Sequence, residues 1–311
     1  MEADRISNLP LDLTYNILEC LPLQEAAKTS VLSQHWRFLW ASIPQLVLDE
    51  SFCATIVNGK SEPADISLRY SKVVNSILLS HVGPISKFVL FVPSFPGERY
   101  PWVNYVFRDG EFYPNLKKKL PECLFTCSGL THLTLIGCKL RSLPPSFMGF
   151  PCLIYFKLVG SQELSVETKK SDYFGKIPIK MGQLRTLNLS DIKLYKKSNI
   201  SVLFCLFASS PQLERLYIEI SELVKVTDDH PLQIDCSFTL RCLRKVQLLR
   251  VSGWIRELQL IKYILAHSPV LGNMTNELHK NMEVEQKYNF ALEAMRYCRA
   301  SPNAEIIIKD K

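Results

Sequence analysis

The stretch Leu184–Arg185–Thr186–Leu187–Asn188–Leu189–Ser190–Asp191–Ile192–Lys193–Leu194 decides the fold. Leu187 and Leu189 alternate as they would on a short strand with one face turned inward, and Leu184 precedes them by three. The same spacing returns at Ile85-x-x-Phe88-x-Leu90, Leu130-x-x-Leu133-x-Leu135-x-x-Cys138-x-Leu140, Leu153-x-x-Phe156-x-Leu158-x-x-Ser161, Leu213-x-x-Leu216-x-Ile218-x-x-Ser221 and Leu243-x-x-Val246-x-Leu248-x-x-Val251. From Leu130 onward the leading residues are separated by 23, 31, 29 and 30 positions. A single copy cannot bury its own apolar face, so the copies are expected to stack into a parallel sheet along a curved solenoid.

The period is that of leucine-rich repeats, slightly long and irregular. The position after each strand holds Cys138, Ser161, Ile192, Ser221 or Val251, and only the first fits the usual Asn or Cys. Val202–Phe207 has helical spacing ahead of Ser209–Ser210–Pro211, as a connecting segment would. Between Leu90 and Leu130 one step is long. Trp102–Phe107 has helical spacing there, and the strand expected near Phe112–Leu116 is degenerate. An α/β sheet with crossover helices is the structural alternative. In a leucine-rich solenoid the variable positions between the inward leucines face out along the concave sheet. They include His132, Thr134, Tyr155, Lys157, Thr186, Asn188, Arg215, Tyr217, Lys245 and Gln247. This mixture of basic, aromatic and amide groups suits a polypeptide partner with some acidic character, and His132, Tyr155, Arg215, Tyr217 and Lys245 are the target-binding candidates.

Residues 1–50 read differently. Leu13, Ile17 and Leu21 fall at four-residue steps with Leu18 beside them, a helical stripe opened by Leu9–Pro10 and closed by Pro22. A second short helix offers Leu23, Ala26, Ala27 and Val31. Ser33 stands where a third helix would be capped, and Trp36, Leu39, Trp40 and Ile43 follow helical spacing. So short a unit has little interior. Leu9, Pro10, Ile17, Leu18, Leu32 and Trp36 are more apolar groups than it can bury alone, and an apolar surplus marks a partner surface.

At the other end, Trp254, Leu258, Ile261 and Leu265 form a helical stripe stopped by Ser268–Pro269. Thr275–Asn276–Glu277 weakens the strand expected after Leu271. Val284, Tyr288, Ala291, Leu292 and Met295 form another helix, and Ala304–Ile308 a terminal strand after Pro302.

Composition narrows the function classes. The chain of 311 residues carries a formal net charge of +7, with its basic residues dispersed in short runs at Lys117–Lys119, Lys169–Lys170 and Lys196–Lys197. That supports weak attraction to acidic partners but not a nucleic-acid surface, which interleaves aromatics with basic residues on one face. No apolar run approaches the length of a membrane span, and the N-terminus lacks the pattern of a signal peptide, so no membrane partner and an intracellular setting, nucleus or cytoplasm, are expected. The ten cysteines are scattered, without a C-x-x-C pair; Cys123, Cys127 and His132 come nearest to a ligand cluster, and neither metal nor disulfide is expected. The sequence lacks a nucleophile elbow, a Walker loop, a dinucleotide loop and a zincin motif, and its six histidines have no partners at useful spacing. No cofactor and no catalytic residue are expected.

Leu9–Pro10, Ile17–Leu18 and Val31–Leu32–Ser33–Gln34–His35–Trp36–Arg37 resemble the F-box. With the repeats, and with Ile261–Leu265, Ser268–Leu271, Met274–Thr275 and Ser301–Pro302 resembling the FBD module, the chain is similar to the plant F-box/FBD/leucine-rich-repeat family. The resemblance implies an F-box over 1–50, irregular repeats over 51–235 and an FBD-like α/β cap over 236–311. It implies a substrate receptor of a Skp–cullin–F-box ubiquitin ligase. Leu9, Pro10, Ile17, Leu18, Leu32 and Trp36 would bind the Skp-type adaptor, and through it cullin, while the repeats hold an unknown protein substrate. A leucine-rich-repeat protein outside any ligase, or a receptor sensing a small molecule, is the alternative.

Overall fold

Each copy of the apolar motif becomes one strand, and within each unit a single carbonyl ties most copies to the next. The oxygen of the residue after the leading apolar position accepts two successive N–H groups from the following copy. Ile154 O receives Arg185 and Thr186, Arg185 O receives Glu214 and Arg215, and Glu214 O receives Arg244 and Lys245, all at 2.9–3.1 Å. This computed structural model describes residue 6 and residues 8–57, 63–93, 122–138, 147–160, 180–221 and 238–310. The chain forms two compact units, Met1–Gly137 and Cys138–Lys311. The expected features at Trp102–Phe107 and Phe112–Leu116, and the lysine runs at 117–119 and 169–170, lie outside the described residues.

The first unit opens with α1 (Leu11–Glu19), α2 (Leu23–Lys28) and two 3-10 helices, Thr29–Val31 and Trp36–Ser42. Pro10 and Pro22 stand at the N-cap positions of α1 and α2, where a missing N–H costs nothing. Ser33 does not cap the third helix. That helix is of 3-10 type, His35 occupies its cap position, and the Ser33 hydroxyl is buried without a partner among the described residues. The small core joins Leu18, Ala26, Trp36 and Ile43, with Leu9, Leu39 and Trp40 packed against it.

From there β1 (Gln45–Leu48), α3 (Glu50–Ile56), α4 (Pro63–Ser80), β2 (Lys87–Phe91), a 3-10 turn (Glu122–Thr126) and β3 (His132–Ile136) follow. β1, β2 and β3 are parallel and in register, Leu46 beside Phe88 beside Leu133. β1 is a copy of the motif that the sequence reading missed: Ile43-x-x-Leu46-x-Leu48, with Ile43, Leu46 and Leu48 all buried. Pro44 O accepts Ser86 and Lys87 just as the other copies do. Ile43 is therefore shared. It closes the helical core and opens the first strand.

The second unit contains β4 (Tyr155–Val159), β5 (Thr186–Ile192), α5 (Lys197–Ser209), β6 (Arg215–Ile220), β7 (Lys245–Val251), α6 (Ile255–His267), β8 (Asn273–Leu278), α7 (Val284–Arg296) and β9 (Glu305–Lys309). Its strands lie side by side in chain order, all parallel. The expected weakness at Thr275–Asn276–Glu277 does not prevent a strand. β8 is another missed copy, Leu271-x-x-Met274-x-Asn276-x-x-His279, disguised by its Asn and His. α5 and α6 cover the inward face, Phe204 meeting Tyr263 edge to face at 4.7 Å between centroids. α6 begins where the Glu257 carboxylate accepts the N–H groups of Ser252, Gly253 and Trp254 at 2.8, 2.8 and 3.3 Å. α7 forms as expected, but its stripe faces out. Val284, Tyr288, Leu292 and Met295 are exposed, and Phe290 and Ala294 are the buried residues of the helix.

The chain leaves several strands through a left-handed residue. Gly137, Gly160, Asp191 and Arg250 have φ of 71°, 70°, 62° and 60°. Each stands one place before the motif's turn position, and the kink carries Cys138, Ile192 and Val251 back into the core. At Gly137 a Cβ would lie 2.3 Å from the Val92 carbonyl oxygen, so glycine is required there. In β5 and β7 the same kink appears as a register shift. Among the described residues no helix is long and apolar enough to cross a membrane.

Candidate functional site

Two surfaces concentrate the sequence candidates, one in each unit, and His132 stands apart from both on β3 of the first unit. In the helical part of the first unit, Trp36 is 2% exposed and its indole N–H donates to Ile6 O at 3.3 Å, which fixes the segment carrying Leu9 and Pro10. Thr14 is buried, and its hydroxyl donates to Pro10 O at 3.1 Å. Leu18 is fully buried beside Trp36. Leu18 and Trp36 are therefore core residues. They hold the surface in place and do not present their side chains on it, because both are taken up in the small core with Ala26 and Ile43. Leu9 is partly buried, Pro10 is exposed, and Ile17 and Leu32 are exposed at 44% and 53%.

The outward stripe is wider than the sequence candidates. Leu11, Leu13, Leu21, Val31 and Phe38 are exposed as well, and Arg37 lies over the Phe38 ring at 5.5 Å. Leu13 and Ile17, one helical turn apart, are visible in the periodicity. Phe38 is not, because the 3-10 geometry moves it out of the α-helical register. Exposed leucine, isoleucine and phenylalanine side chains crowded on three short helices are what a monomeric soluble surface avoids. They can offer little but shape and apolar area, which suits a helical protein partner.

Residues 6–47 match the F-box domain family model. That segment is an F-box domain. The resemblance extends beyond it: over an alignment of 418 positions the chain is 24% identical to an F-box/FBD/LRR-repeat protein of Arabidopsis thaliana, covering 98% of both. It is 37% identical to an Arabidopsis F-box/LRR-repeat protein over 42% of this chain and 36% of the relative, and 34% identical to a second F-box/FBD/LRR-repeat protein of that plant over 46% and 32%. In those two alignments the chain covers about a third of the relatives' own length. No solved structure matches it. The F-box match ends at Val47, inside β1, so it takes in the shared Ile43.

The second surface is the outward face of the strands. In the second unit the register aligns Tyr155, Thr186, Arg215, Lys245, Asn273 and Glu305 in one row. Lys157, Asn188, Tyr217 and Gln247 form the next. The second unit thus brings Tyr155, Arg215, Tyr217 and Lys245 onto one face. His132 is exposed on β3 of the first unit, in register with Lys87. Burial pushes the Tyr155 phenol above its ordinary value, against a hydrogen bond with Asn188 that lowers it, with Tyr217 close by. Arg185 pairs with Glu214 at 3.3 Å, and Arg250 pairs with Glu219. Among the described residues no group of three or more His, Cys, Asp or Glu is gathered as a metal site.

Proposed function

We propose that this F-box protein is the substrate-recognition subunit of a Skp–cullin–F-box ubiquitin ligase and works without a catalytic residue of its own. The observation that carries the reading is the exposed apolar face of Leu13, Ile17, Leu32 and Phe38 on an F-box whose core is already filled by Leu18 and Trp36. A Skp-type adaptor covers that face, reaches Leu9 and Pro10 at its edge, and links the chain to cullin. Within each unit, parallel strands in chain order with a recurring carbonyl contact support the reading of an irregular leucine-rich solenoid over 51–235 with an FBD-like cap over 236–311. The outward strand face of the second unit, with Tyr155, Arg215, Tyr217 and Lys245, holds a target protein near the ubiquitin-charged enzyme, and His132 on β3 of the first unit is a separate target-binding candidate. The gain is one of effective concentration. The nucleus or the cytoplasm is where such a ligase would act.

The test is co-purification of the full chain with a Skp-type adaptor, followed by calorimetry. Wild type should form a one-to-one complex. Ile17→Asp with Leu32→Asp should weaken it about ten-fold or more at an unchanged melting temperature, since interface hot spots cost more than about 1 kcal/mol each. Full affinity in that folded variant, or no complex with wild type, overturns the reading.

A further inference from the structure

Arg215 and Lys245 are registered neighbours on β6 and β7, both exposed, and neither makes an ion pair with a described residue. Adjacent parallel strands are about 4.8 Å apart, so two like charges stand side by side on an open sheet, an arrangement that destabilises a ladder. Nearby charges are paired: Arg185 just before β5 with Glu214 just before β6, and Arg250 on β7 with Glu219 on β6. Lys157 on β4 adds a third cation with no ion pair to a described residue, one row along and two strands away. Between them lie Asn188, Tyr217 and Gln247, which offer amide and phenol hydrogen bonds.

We propose that this face binds an extended acidic peptide through its side-chain carboxylates. The inference rests on the target-receptor reading above and names the chemistry of the target segment. Charge complementarity selects the occupant. The cations do not converge on one point, as the donors around a single phosphate do. They spread over β4 to β7, about 14 Å of sheet, which fits carboxylates repeated along a chain. An acidic segment crossing the strands relieves the Arg215–Lys245 repulsion, and the amide and phenol groups take its backbone. Attraction of this kind is salt-sensitive.

The probe is a fluorescein-labelled octaglutamate peptide, titrated by fluorescence anisotropy into the full chain at low salt. An octaglutamine peptide and a neutral octapeptide with one phosphoserine are the comparisons. Wild type should bind octaglutamate, weaken as salt rises, and ignore octaglutamine. Arg215→Gln with Lys245→Gln should weaken binding about ten-fold or more, as loss of central charged contacts does. Lys280→Gln with Arg296→Gln, which removes the same charge from exposed positions elsewhere in the second unit, should change it less than about two-fold. Lys245→Gln alone, with a matching melting curve, guards against misfolding. Equal loss from the two pairs, no binding by wild type, or tighter binding of the phosphopeptide than of octaglutamate overturns the proposal. Adaptor affinity is measured on the same samples. If it is intact while octaglutamate fails, this inference falls and the receptor reading stands; if the adaptor alone fails, the reverse holds.

Discussion

Asn276 lies beside Leu248 on the neighbouring parallel strand, at the position where the other strands carry leucine or isoleucine. It is fully buried, and neither its oxygen nor its nitrogen has a partner among the described residues. An unsatisfied buried amide costs about 1–3 kcal/mol. Asn276→Leu restores the motif and should raise stability by about that amount, read as a higher urea midpoint with an unchanged slope. A lower midpoint would show that the amide is satisfied after all.

Leu13→Ala and Trp36→Ala should separate surface from core. The first removes an exposed side chain and should leave the melting temperature nearly unchanged while reducing adaptor affinity. The second empties the F-box core and should cost about 3–5 kcal/mol. Equal thermal effects of the two changes would contradict the burial pattern.

Gly137→Ala places a methyl group against the Val92 carbonyl at a left-handed φ of 71°. The conformation alone costs about 1–2 kcal/mol for a residue with a side chain, and the contact adds to it. The urea midpoint should fall accordingly; an unchanged midpoint would mean that the turn after β3 is looser than described.

Asp49 caps α3, its carboxylate accepting the Phe52 N–H at 3.0 Å and the Ser51 hydroxyl at 2.6 Å. Burial acts to raise its pKa, but these hydrogen bonds prevail and hold it below 3.8. A depressed carboxyl stabilises the fold above its unfolded pKa and loses that contribution as pH falls through the folded value. Asp49→Asn keeps a capping oxygen but cannot titrate, so the stability difference between wild type and this variant should shrink below about pH 4. A constant difference from neutral to acid pH would exclude the capping carboxylate as its source.

Burial, with Glu50 adding to it, pushes the Cys53 thiol up to about 11. Cys20, Cys152 and Cys298 are exposed. Alkylation of the native protein near pH 8 should label those three quickly and Cys53 only on unfolding, as peptide mass mapping would record. Early labelling of Cys53 would mean that α3 opens readily.

Much of this is legible in the sequence because the leading leucine and the two alternating apolar residues are enough to define a strand. Leu184, Leu187 and Leu189 need no further help. Ile43 reads as helical because it also fits helical spacing from Trp36, and a residue serving two elements satisfies two periodicities at once. Met274 and Asn276 hide β8 because the array tolerates one polar residue whose neighbours supply the burial. The repeated left-handed kink is half visible, in Gly137 and Gly160, and masked where Asp191 and Arg250 adopt the same conformation. At the F-box the periodicity finds the apolar residues but not their direction. Sequence spacing cannot tell Ile17, which faces out, from its neighbour Leu18, which faces in, since only the packing of α1 against Trp36 decides it.

The double service of Ile43 has a consequence for how such proteins can be recombined. Its side chain closes the helical core while its motif begins the first strand, and Pro44 O hands the chain on to Ser86 and Lys87. A graft that joins the helical part of one such chain to the strands of another must be spliced beyond Leu48. A joint placed any earlier divides one hydrophobic interior between two parents. Recombination would therefore pass on the helices and β1 as a single heritable block.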